Sequence, residues 1–358
     1  MSFRTTISWL LFPLTLWYAI GVAVRNMLYA IGFKKSEAPH ITTLGIGNLS
    51  TGGSGKTPMS EYLLDLLSPH YRTALLSRGY KRHSKGFLLD DGSHNTTLLG
   101  DEPAMVAAKH PDVQVAVCEK RVEGVRRLME QEEPPQVIVM DDVFQHRQIK
   151  PSISLLLTEY HHPLFRDHIL PYGNLREFRS ARYRAGIVVV TKCPEHLNPI
   201  DKHNIIADLK LQNFQKVFFS YLQYDALHTL DGQPADIALH EVDNVLAVTG
   251  IAHPEPMLDY LRHTCKVQHL AYPDHHVFSR RDIAHIRANF EAIASPRKII
   301  ITTEKDATRL QGLTEGLPVY TLPVKIAFHN SNDMDFAKII ESSVRENISF
   351  LSKLSIWS

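Results

Sequence analysis

"GNLSTGGSGKTP", Gly47–Pro58, is the stretch on which the reading of the chain turns. It follows "HITTLGIGN" (40–48), an apolar strand candidate, and runs into "PMSEYLLDLLSPH" (58–70), which has helical periodicity. A strand, a glycine-rich turn and a helix are the setting in which a backbone wraps a phosphate. Gly52, Gly53 and Gly55 let the chain turn its N–H groups inward, and the helix N-terminus adds a partial positive charge. Ser50, Thr51, Gly52, Gly53, Ser54, Gly55, Lys56 and Thr57 are then the nucleotide-binding residues. Lys56 reaches the β and γ phosphates, Thr57 offers its hydroxyl to Mg²⁺, and Pro58 falls where a missing N–H is tolerated. The usual spelling of such a loop, G-x-x-x-x-G-K-[ST], asks for glycine where Ser50 stands.

A second signal supports the first. "QVIVMDD" (136–142) is an apolar strand ending in Asp141 and Asp142, the form of a Walker B motif that holds Mg²⁺ directly or through water. Thr51 occupies the position where dimerising switch ATPases such as the ParA-like proteins carry an extra lysine, so electrostatic help has to come from elsewhere. The alternative reading is a P-loop nucleotide switch or metallochaperone-type GTPase. "VVVTKCPE" places Thr191 and Lys192 loosely like a guanine-reading T-K-x-D loop, although the acid, Glu195, comes one position late.

The runs "RTALLSRGY" (72–80), "VQVAVC" (113–118), "ISLLLTE" (153–159) and "GIVVVTK" (186–192) alternate with helical periods. They predict an α/β fold: a P-loop α/β/α core with a mostly parallel sheet, plus a smaller α/β second domain. The expected divisions are 1–35, a hydrophobic membrane-associated helix; 36–224, the core; 225–320, the smaller domain; and 321–358, a return to the core. "LPVYTLPVKIAF" (317–328) reads as one returning strand. At 358 residues, 44% hydrophobic and 22% charged, the chain can build two cores. A net charge of +1 argues against a nucleic-acid partner. Cys118, Cys193 and Cys265 show no C-x-x-C spacing, which fits a reducing compartment rather than a disulfide framework or a zinc site.

Thr5 to Val24 contains no charge and is flanked by Arg4 and Arg25, with Trp9, Trp17 and Tyr18 inside it. A helix in the membrane interface, a buried core helix, a spanning segment and a signal peptide all remain open readings.

Further candidates lie at strand and helix ends: Arg78 in "SRGYKR", Asp101 and Glu102 in "GDEP", Arg121 in "EKR", Gln145 and His146 after the paired aspartates, Arg176 and Glu177 in "LPYGNLRE", and His275 in "YPDHH". Taken alone, Asp101 reads equally well as a helix N-cap. Together with "TGIAHPEPM" and "TTEKDATRL", these stretches resemble the tetraacyldisaccharide 4'-kinases (the LpxK family), the lipid A 4'-kinases of Gram-negative bacteria, over nearly the whole chain. That family carries Ser or Thr where Ser50 stands.

The resemblance implies transfer of the ATP γ-phosphate, with Mg²⁺, to the 4'-hydroxyl of a tetraacyldisaccharide 1-phosphate, giving lipid IVA. The work is done at the cytoplasmic face of the inner membrane by a core and a smaller domain joined through a strand-like hinge. It also implies Lys56, Asp101 and His275 as catalytic residues, Asp101 as general base paired with His275, and Thr57, Asp141 and Asp142 as the metal-binding set. Arg78, Glu102, Arg121, Arg176 and Glu177 are implied as assistants to phosphate or lipid binding. The lipid disaccharide and the membrane surface are the implied partners.

Overall fold

The computed structural model describes residues 3–329 and 332–355. In the first helix, side chains are described from Pro13 onward, so those of Arg4 and Trp9 lie outside the described set. The chain forms two compact units, Met1–Leu222 with Ile326–Ser358, and Gln223–Lys325.

The larger unit opens with α1 (Phe3–Ala30) and continues through β1 (Thr42–Asn48), α2 (Lys56–Leu67), β2 (Thr73–Ser77), β3 (Leu88–Leu89), α3 (Thr96–Leu99), α4 (Asp101–Lys109), β4 (Gln114–Val117), α5 (Arg121–Met129), β5 (Val137–Met140), β6 (Ile153–Glu159), β7 (Ile187–Thr191), α6 (Pro199–Leu209) and β8 (Lys216–Tyr224). The smaller unit contains β9 (His228–Thr229), β10 (Asn244–Thr249), α7 (Glu255–Arg262), β11 (Lys266–Ala271), α8 (Arg280–Ala292), β12 (Lys298–Thr302), α9 (Glu304–Leu310) and β13 (Val319–Thr321). The chain then returns through β14 (Val324–Phe328) to α10 (Asn332–Ser355).

The large sheet has the order β14-β8-β7-β6-β1-β5-β2-β4-β3. Its pairings from β8 across to β4 are parallel, and the short edge strand β3 is antiparallel. The expectation of a mixed α/β fold with a mostly parallel sheet therefore holds. Alternation within the strands explains why both faces are covered. Val137 and Val139 face the layer built by Met59, Leu63 and Leu67 of α2 with Phe336, Ile340 and Val344 of α10, while Ile138 and Met140 face the layer that includes Val125 and Leu128 of α5. β1 lies between β5 and β6, so the loop after it opens at the carboxyl ends of the strands, where the strand order reverses and such sheets bind ligands.

The smaller unit repeats the logic with the order β11-β10-β12-β13-β9. Val245 and Ala247 of β10 join one core, and Leu246 and Val248 the other. The run 317–328 is two strands rather than one. β13 pairs with β12 and β14 neighbours β8, and between them Pro323 has no N–H with which to continue a ladder. Both chain crossings between the units fall within strands of the large sheet, in β8 and β14.

Candidate active site

The glycine-rich loop leaves β1 at Asn48 and enters α2 at Lys56. Gly52 and Gly55 have φ of 115° and 83°. The loop is held from two sides. On one, Thr51 N–H donates to Asn174 O (2.8 Å) and Arg176 N–H to Leu49 O (2.7 Å). On the other, the Thr191 hydroxyl donates to Ser54 O (2.9 Å). Lys192 pairs with Glu159 at 3.4 Å. The two residues that suggested a guanine-reading loop are thus engaged within the fold.

Lys56 Nζ lies 3.5 Å from Asn48 Oδ1 and 3.6 Å from Asp142 Oδ1. Arg176 reaches the same carboxylate at 3.2 Å, and Gln145 Nε2 donates to Asn48 O at 2.7 Å. Burial works to raise Asp142, but Lys56 and Arg176 outweigh it and hold the carboxyl below its usual range. Asp141, one residue earlier, behaves oppositely. Burial first, and the Glu102 charge second, push it up to about 6 against the pull of Lys56 and Arg121.

Arg121 is almost wholly buried and clasps the backbone, donating to Cys118 O (2.5 Å) and Asp141 O (3.0 Å). Burial lowers it to about 10, so it stays charged at neutral pH and braces the end of β5.

Gly100, at φ 91°, precedes α4, and a side chain there would press on Tyr80 O at 3.0 Å. Asp101 therefore does not cap the helix; it opens the first turn together with Glu102. Glu102 accepts a hydrogen bond from the Thr57 hydroxyl at 2.9 Å, which ties α4 to the loop. Thr57, Glu102 and Asp141 are hard oxygen donors, and Asp141 Oδ1 is buried without a hydrogen-bond partner. Among the described residues no cluster of three or more acidic, His or Cys groups forms a cage for a metal. The arrangement suits Mg²⁺, which takes one or two protein oxygens and completes its shell with phosphates and water.

Beside this cluster a cavity of about 410 Å³ opens against α1, lined by Tyr18, Arg25, Arg78, Asp142, His146 and Arg176. Three of its nine lining residues, Arg25, Arg78 and Arg176, are cations. Burial, then Arg121 and Arg78, lower His146 to about 4, so its ring is neutral at physiological pH. A larger cavity, about 940 Å³, is lined by the first residues of β6, β7 and β8 and contains none of the loop or its acids.

A model of the tetraacyldisaccharide-1-P 4'-kinase family matches residues 7–345. The chain belongs to this family.

It is 43% identical over 341 residues to the tetraacyldisaccharide 4'-kinase of Flavobacterium johnsoniae, covering 95% of this chain and 98% of that one. It is 41% identical over 350 residues to that of Bacteroides fragilis, covering 94% and 93%. Among solved structures, LpxK from Aquifex aeolicus in complex with ATP superposes with a TM-score of 0.74 at 28% identity, covering 96% of this chain and all of that one.

Of the residues singled out in the kinase sequence, the loop, Lys56, Thr57, Glu102, Asp142 and Arg176 meet through hydrogen bonds and ion pairs, with Asp141 and Arg121 directly behind them. Arg78 joins Asp142 and Arg176 in the lining of the smaller cavity. His275 belongs to the smaller unit.

Glu177 has a different placement. Its carboxylate is fully buried and taken by Arg25 (3.1 Å), Arg184 (2.9 Å) and Asn26 (3.3 Å), so it holds α1 to the core. Tyr18 adds a bond from its hydroxyl to Arg176 O (3.0 Å), and Arg147 one to Asn26 Oδ1 (3.1 Å). Sequence reading missed Asn26, because a lone Asn carries no periodic or motif signal. Glu177→Ala is expected to destabilise the protein by about 2–3 kcal/mol, the scale for removing the centre of a buried polar network whose arginines keep some access to water. It should also make 1–35 more susceptible to limited proteolysis. An unchanged melt and digestion pattern would remove Glu177 from this role.

Proposed function

We propose that this kinase transfers the γ-phosphoryl group of ATP to the 4'-hydroxyl of tetraacyldisaccharide 1-phosphate, forming lipid IVA in lipid A biosynthesis. The observation that carries the reading is the junction of two sites. The Lys56–Asp142–Arg176 cluster of the glycine-rich loop shares Asp142 and Arg176 with a cationic cavity that α1 helps to line. A phosphate donor and an anionic sugar can meet there.

In this proposal the loop N–H groups and Lys56 hold the ATP phosphates, and Thr57, Asp141 and Asp142 are the residues that would hold Mg²⁺. When bound there, the ion would supply neutralisation of the charge that develops on the transferring phosphoryl group. Asp101 takes the proton from the 4'-hydroxyl as the new P–O bond forms. The bond from the γ-phosphorus to the ADP oxygen breaks, and Lys56 faces the charge left on ADP. His275 is assigned to orient Asp101, a pairing that rests on the family resemblance. Arg78 and Arg176 are assigned to the acceptor's anionic and hydroxyl groups.

The lipid acceptor also gives α1 a purpose. Trp17, Ile20, Val24 and Met27 are exposed at helical spacing, while Tyr18, Arg25 and Asn26 bind the core. Among the described residues no helix is long and apolar enough to cross a membrane. An apolar stripe on a helix fastened by its other side fits a helix lying in the interface of the inner membrane's cytoplasmic face.

The test is one incubation of the full-length protein with γ-labelled ATP, Mg²⁺ and the disaccharide 1-phosphate in detergent. Label should appear in the lipid. Label recovered only as inorganic phosphate, or nucleotide bound without turnover, would overturn the proposal.

A further inference from the structure

Three stretches of the smaller unit converge on the His275 imidazole. "TGIAHPEPM" follows β10, "YPDHH" follows β11, and "TTEKDATRL" runs from the end of β12 into α9. His275 sits at φ 60°, a left-handed backbone uncommon for residues other than glycine. Its N–H donates to Gly250 O at 3.0 Å.

The N–H of Gly250 in turn donates to Asp306 Oδ2 at 2.8 Å. A side chain on Gly250 would meet Asp306 Oδ1 at 3.0 Å and Pro273 O at 3.3 Å, so the close approach calls for glycine. Asp306 is fully buried; it also accepts from the Thr303 hydroxyl (2.8 Å) and from Arg309 (3.0 Å). The Arg309 side chain is 8% exposed, and its other terminal nitrogen lies 3.1 Å from His275 Nδ1.

This chain of contacts has a chemical consequence. A guanidinium carries five N–H donors and no acceptor. The nitrogen it meets must therefore be the unprotonated one, and the other ring nitrogen then carries the proton. We propose that Asp306 and Arg309 are positioning residues that lock His275 in its Nε2–H tautomer, so that the ring acts as a hydrogen-bond donor and not as a base. Asp306 fixes the guanidinium, the guanidinium fixes Nδ1, and Gly250 fixes the backbone of His275 through the same carboxylate. Asp274, whose carboxylate lies 3.9 Å from His275 Nε2, is a second charged group near the ring.

The inference deepens the proposed function and rests on it where His275 is assigned to orient Asp101. A donor beside a carboxylate orients it, and an Nε2–H does so without competing for the proton that the carboxylate is to receive.

The experiment uses the full-length protein, labelled with ¹⁵N at histidine, and reads two-bond ¹⁵N–¹H correlations of the rings, with His275 assigned by its disappearance in His275→Gln. The wild-type protein should show His275 protonated at Nε2. Arg309→Met should lose that pattern and lower kcat by at least about tenfold, with KM for ATP unchanged.

A wild-type ring protonated at Nδ1, or a pattern unaltered in Arg309→Met, overturns the proposal, and the wild-type spectrum decides it even if the variant folds poorly. Unchanged turnover in His275→Ala would instead remove His275 from the proposed mechanism, and it leaves the tautomer result readable on its own.

Discussion

Replacing Asp101 with asparagine is expected to lower kcat by about 10²- to 10⁴-fold, the range over which a positioned general base contributes, and to leave ATP affinity close to wild type. The asparagine has the same shape and stays in the first turn of α4, after a glycine whose φ of 91° sets the entry to that helix. Glu102 still accepts from Thr57, so the loop and its helix remain tied. What is lost is a group able to take the proton of the acceptor hydroxyl. Steady-state kinetics with the lipid acceptor, beside nucleotide titration by calorimetry, separate the two quantities. Wild-type turnover in Asp101→Asn would exclude it as the base, and a collapse of ATP binding would assign it to the nucleotide site instead.

Asp141→Asn is expected to act on stability and on binding in opposite directions. In the folded protein this carboxyl takes up its proton near pH 6, against an ordinary value of 3.8. Between those values the folded chain binds more protons than the unfolded chain. The group's contribution to stability is thus fully present below about pH 4 and is lost as pH rises through 6. At pH 8 the ionised side chain is a liability to the nucleotide-free fold, and the neutral amide removes it. The variant should melt higher than wild type by the equivalent of up to about 3 kcal/mol.

The same charge is what a divalent cation would use, so Mg²⁺-dependent ATP binding should weaken strongly in the variant. In the wild-type protein that binding should fall as pH drops below about 6, because the carboxyl must release its proton to bind the ion. Thermal melts at pH 8 and pH 4 with calorimetry across this range check both halves. A nucleotide-free variant that melts below wild type at pH 8 would refute the stability half.

The two variants draw on different kinds of information. Asp141 was visible because four apolar residues, Val137–Met140, precede it and Asp142 follows it. Asp101 was ambiguous in sequence, since an acid before Glu-Pro reads as a cap. The structure places the cap at Gly100 and leaves Asp101 inside the helix. The run 317–328 was misjudged for a related reason: strand-forming residues lie on both sides of Pro323, and nothing local says that the two halves belong to different sheets.

By itself, then, the sequence determined whatever consecutive residues can encode. That covers the β1–loop–α2 unit around Lys56, the alternation that buries a parallel sheet on both faces, and the order of stretches that marks the family. Tertiary structure alone decided the contacts between residues far apart in the chain. Thr191 braces Ser54 across 137 positions, Tyr18 reaches the backbone of Arg176 across 158, and Arg309 meets His275 across 34. Such partners have no fixed spacing, because hydrogen bonds and ion pairs depend on where packed elements bring their side chains and not on distance along the chain. For the same reason Glu177, which sits next to Arg176 in sequence, is buried under α1, whereas Arg176 turns to Asp142.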